Sequence, residues 1–164
     1  MNLGNCAPVI AFLPSVPPFD PIRIWERVHG HLGWLAAIAL VHPAIMLRRY
    51  KRKAHLSVAL SVGIVSTVFG IGLAIYPDYR ERLRQHIFIE GRPIGYLFER
   101  KEHLAFGAVL LAWAGAITCF AAMRVEGDTR DSMRRASHWA FVAAAVLTLV
   151  TASLGIVVAA FKTF

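Results

Sequence analysis

Apolar positions gather into four long runs, at residues 32–47, 56–76, 104–123 and 139–161, and polar or basic stretches separate them. Each run approaches the roughly 20 residues that an α-helix needs to cross about 30 Å of hydrocarbon. A backbone in lipid must satisfy its own hydrogen bonds, which rules out irregular strands of this composition. The pattern therefore predicts an all-α fold: an integral membrane, up-down bundle of four helices. Around it we read a proline-rich leader over residues 1–23, a bundle over 24–161 and a short tail over 162–164. Within the bundle, the long connection 77–101 alternates charged and apolar groups over 79–88 in the manner of an interfacial helix. Gly91, Pro93 and Gly95 follow as breakers, so the third helix is expected to begin near Glu99. The leader lacks the basic start and unbroken apolar stretch of a signal peptide.

Composition sharpens this picture. Of 164 residues, 57% are apolar and 17% charged, with a mean hydropathy of +0.53. A soluble domain is about half apolar and a quarter charged, so much of this chain's apolar surface is expected to meet lipid. The formal net charge of +8 raises the question of nucleic acid, but the charges lie between apolar runs rather than along a solvated face with stacking aromatics. No nucleic-acid partner is expected. Their distribution is instead topological. The short connections 48–54 and 124–135 hold nine Lys/Arg against three Asp/Glu, and the rest of the chain nine against seven. The positive-inside rule places those short connections in the cytoplasm. Both termini and the 77–101 loop then face the periplasm of a bacterial inner membrane. Cys6 and Cys119 sit in unrelated contexts and form neither a metal motif nor a disulfide framework.

Seven histidines carry the chemical interest, because ionisable groups near or inside a membrane are costly. His31 and His103 fall near the periplasmic ends of helices one and three, His55 and His138 near the cytoplasmic ends of helices two and four. In an up-down bundle these are the diagonal pairs. Each pair places two imidazoles at one depth, which is the axial donor set of a b-type haem. Gly107, one turn beyond His103, and Gly30 and Gly33 beside His31 would make room for a flat macrocycle. Arg27, Arg100 and Lys101 outside, and Lys53, Arg134 and Arg135 inside, would meet the propionates. His42 lies eleven residues after His31, on nearly the same helix face and about 16 Å deeper, so it is the alternate ligand of the cytoplasmic-side haem. His29 points to the opposite face from His31 and is expected to be a supporting group; His86 belongs to the amphipathic loop. Glu26 and His29 have the spacing of a di-iron bundle motif, but the four runs hold no acid to complete one.

This placement of His31, His103, His55 and His138 resembles the four-helix di-haem cores of the cytochrome b561 family and of the membrane cytochrome b subunits of formate dehydrogenases and hydrogenases. The resemblance covers residues 24–161 and implies two b-type haems stacked across the bilayer. It also implies electron passage between a quinone and a partner redox protein, with other complex subunits, such as a periplasmic cytochrome, alongside membrane lipid. The competing expectation is a haem-free structural or assembly subunit whose histidines are interfacial.

Overall fold

The computed structural model describes residues 21–49, 54–81, 88–89 and 91–160. Four helices make up the bundle: α1 Pro21–Arg48, α2 Ala54–Tyr79, α3 Arg92–Ala121 and α4 Gly127–Ala160. All four are long and apolar enough to cross a membrane, so the chain is a multi-pass membrane protein. Each helix packs on its neighbours around a closed ring, α1 on α2, α2 on α3, α3 on α4 and α4 back on α1. The diagonal pairs are thus α1 with α3 and α2 with α4, as the sequence implies.

The helices are longer than the apolar runs. Pro93 does not delay α3, which begins at Arg92 with proline in its first turn. There the missing N–H has no helical acceptor to serve and the fixed φ suits the helix. The Gly91 carbonyl accepts from Ile94 and Gly95 at 2.9 and 3.2 Å. Pro77 likewise lies inside α2. The basic connection before the fourth run is mostly helix, because α4 starts at Gly127, whose φ of 63° turns the chain in a left-handed conformation that glycine adopts without strain. Residues 21–23 of the leader form the start of α1, whereas its residues 1–20, the basic residues within 50–53 and the interfacial segment 82–87 with His86 lie outside the described residues.

Small side chains fill the interior. Ala36, Leu40, Ala44 and Leu47 of α1 meet Ala54, Val58, Val62, Val65 and Val68 of α2, Ala112, Ala116 and Cys119 of α3, and Phe141, Ala144 and Ala145 of α4. Large apolar groups such as Ile38, Leu60, Leu110 and Ile117 point outward, each at least 60% exposed. In lipid no hydrophobic force separates inside from outside, so close packing of small residues holds such helices together. The α3–α4 seam shows this most clearly. A Cβ added to Gly115 would come within 3.0 Å of the Phe141 ring and 3.2 Å of Ala140 Cβ, and Ser137, fully buried, donates its hydroxyl to the Gly115 carbonyl at 2.7 Å.

Candidate functional site

The buried stripe of each helix fixes which side chains face inward. On α1 the stripe through Leu47, Ala44, Leu40 and Ala36 continues to Gly33, His29 and Glu26, steps of three or four residues that keep one face. His31, nine residues before Leu40, stands about 180° away from that face at about 100° per residue and is exposed. On α3 the stripe through Cys119, Ala112 and Ala108 continues to Ala105, Lys101 and Phe98, and His103 is exposed on the far side. On α2 the stripe runs Ala54, Val58, Ser61, Val65, Val68, Gly72, Tyr76, Tyr79, while His55 is exposed.

This phase gathers polar groups inside the end of the bundle where α1 begins. Tyr76 donates its hydroxyl to Glu102 Oε2 at 3.2 Å. Tyr79 and Phe98 stack with ring centroids 5.3 Å apart and planes within 9°. Lys101 Nζ lies over both rings, 5.9 Å from Tyr79 and 5.2 Å from Phe98. Lys101 is also within electrostatic reach of His29, and Glu26 and Glu102 are within reach of Tyr79. The His29 imidazole rests on Gly72, where an added Cβ would stand 2.9 Å from its Cε1. Its Nδ1 is buried and has no hydrogen-bond partner among the described residues. An imidazole, an ammonium, two phenols and two carboxylates thus converge from three helices, next to the buried Phe98 and Val158. Together they can donate and accept hydrogen bonds beside a flat aromatic surface.

The basic end is arranged differently. Pro43 lies inside α1 and leaves the Ala39 carbonyl without its helical donor; Ser61 supplies one at 2.6 Å. His42, on the outer face, pairs its Nδ1 with Ser57 Oγ at 2.5 Å. Half-buried His138 reaches across from α4, and its Nδ1 donates to the Ala44 carbonyl at 2.8 Å.

The predicted ligand pairs do not meet across the core. His31, His103 and His55 face outward, and of the four only His138 turns toward a neighbouring helix. The interior at their levels is occupied, by Ala44, Leu47, Ala54, Val58 and Cys119 at one end and by the Tyr76–Glu102 cluster at the other. The residues present therefore do not fit a haem clasped between these helices. Gly107 serves ordinary packing, with its added Cβ 3.4 Å from Leu147 Cδ1, and Gly30 and Gly33 have no described atom within 4 Å of theirs. Arg27 and Arg100 are exposed, and Arg135 donates to Ser132 Oγ at 3.1 Å. Among the described residues no group of three or more His, Cys, Asp or Glu side chains could hold a metal ion. The residues that sequence reasoning passed over as a group, His29, Tyr76, Tyr79 and Glu102, share the phase of the small-residue stripes, which is the one feature that could have marked them. No family model, curated protein or solved structure matches this chain.

Proposed function

We propose that this chain is a quinone-binding subunit of a membrane electron-transfer complex, with the quinone headgroup taken up by the polar cluster of α1, α2 and α3. The observation that carries this reading is the buried Nδ1 of His29, which has no hydrogen-bond partner among the described residues, near the Tyr76–Glu102 pair and the stacked Tyr79 and Phe98 rings. Buried polar groups are nearly always paired, and ionisable groups at membrane depth usually mark a site of function. A quinone ring offers an aromatic face to the stack and two oxygens to the polar groups. With the basic loops in the cytoplasm, the cluster lies at the periplasmic end of the bundle in a bacterial inner membrane, on the side of any periplasmic redox partner. Titrating the detergent-purified chain with ubiquinone-1 tests this. Saturable binding that H29A and E102A each weaken about tenfold, the effect of leaving a buried partner unpaired, supports it. Partitioning that never saturates and is equal in all three proteins overturns it.

A second reading keeps the b-type haem but moves it outside the bundle. His103 Nδ1 donates to the Glu99 carbonyl and His138 Nδ1 to the Ala44 carbonyl, both at 2.8 Å. In that tautomer each Nε2 carries a free lone pair, which is how metal-ligating histidines are oriented. A dithionite-reduced minus oxidised spectrum with a b-type α-band, lost in H103A or H138A, supports this reading. A colourless, fully helical preparation overturns it; if ubiquinone-1 binding is also absent, a structural or assembly subunit is left.

A further inference from the structure

We propose that Gly72 is a positioning residue: it leaves the notch that seats the His29 imidazole against α2, beside the polar cluster. The inference rests on the quinone reading for what the nitrogen binds, but not for how the ring is held. Helix α2 carries three glycines, and their surroundings differ. A Cβ at Gly63 or Gly70 would meet no described atom within 4 Å, whereas one at Gly72 would stand 2.9 Å from His29 Cε1, 3.5 Å from Nε2 and 3.6 Å from Nδ1. The three nearest atoms to that position all belong to the one imidazole, so the ring seats on this residue. Gly72 is helical, so no special φ calls for glycine here; the requirement is space alone. Glycine inside a helix costs about 1 kcal/mol relative to alanine, and at Gly72 that cost is matched by one contact, with His29.

The ring is the far end of a rotatable side chain, so alanine at position 72 displaces it without opposing backbone. The chain in lipid nanodiscs is treated with diethyl pyrocarbonate, and modified histidines are located by mass spectrometry. In the native protein His29 is expected to be protected while exposed His31 and His103 react. G72A is expected to raise His29 modification several-fold and to weaken ubiquinone-1 binding about tenfold, the effect of an unmade buried hydrogen bond, while G63A and G70A change neither. Stability supplies a check that does not depend on binding: G72A lowers the melting temperature of the native chain but not that of the H29S variant, whose short side chain leaves the notch empty. Unchanged His29 protection and affinity in G72A, or an equal loss of stability with and without the His29 ring, overturns the assignment. If the native chain binds no ubiquinone-1 while G72A still exposes His29, the positioning role stands and the quinone reading falls.

Discussion

Ser61 donates its hydroxyl to the carbonyl of Ala39 at 2.6 Å, the one carbonyl of α1 that Pro43 strips of its helical donor. The repair comes from the neighbouring helix, so the proline ties α1 to α2 instead of weakening the bundle there. S61A is expected to destabilise the chain by about 1 kcal/mol, typical of an interhelical hydrogen bond in a membrane bundle. P43A restores the N–H, so S61A should cost less in that background. Unfolding in mixed micelles for the four proteins of this cycle checks the coupling, and strictly additive effects would argue against it.

Two glycines should respond in opposite directions. G115L drives a side chain into Phe141 and Ala140 and should destabilise by about 3 kcal/mol or prevent folding, as overpacking does. G63A faces open space and should be neutral or stabilising by up to about 1 kcal/mol through helix propensity. Thermal unfolding followed by circular dichroism separates them.

Outward histidines should be dispensable for the fold. H31A and H55A are expected to shift stability by less than about 0.5 kcal/mol, the usual range for surface positions. H138A removes the bond to the Ala44 carbonyl and should cost about 1 kcal/mol. A large loss in H31A or H55A would mean that these rings have partners this packing does not contain.

Tyr76→Phe deletes the donor to Glu102 without changing volume. Helical content should be retained, and ubiquinone-1 affinity should fall about tenfold from the unpaired carboxylate, whereas Phe106→Leu, on an exposed position, should leave affinity unchanged. Equal affinities in the two variants would place the quinone elsewhere.

The number of helices and their ring order follow from four apolar runs and short connections, and both are found. The helix ends were less legible, because Arg92–Lys101 and Gly127–Ser137 are helical yet charged, and hydropathy marks only the part of a helix that suits lipid. Histidine facing was harder still. In a soluble helix the apolar face is the buried one, but here Ile38 and Leu110 are apolar and exposed while Ala36 and Ala108 are apolar and buried. Polarity alone therefore leaves the phase open, and counting depth put His31 and His103 at one level without revealing that both turn away from the core. Side-chain size carries the missing information: the alanines, glycines and serines mark the inner stripe, and His29, Tyr76 and Lys101 fall on it.

At 34 residues α4 is about 51 Å long, well beyond a bilayer's hydrocarbon core of about 30 Å. Its first three turns, with Asp128, Arg130, Asp131, Arg134 and Arg135, are continuous with the membrane helix. These charges are thus mounted on a rigid stem at fixed heights and angles. A neighbouring subunit that docks there meets an ordered array, and the ordering entropy that a flexible loop would lose on association has already been spent when the bundle folds.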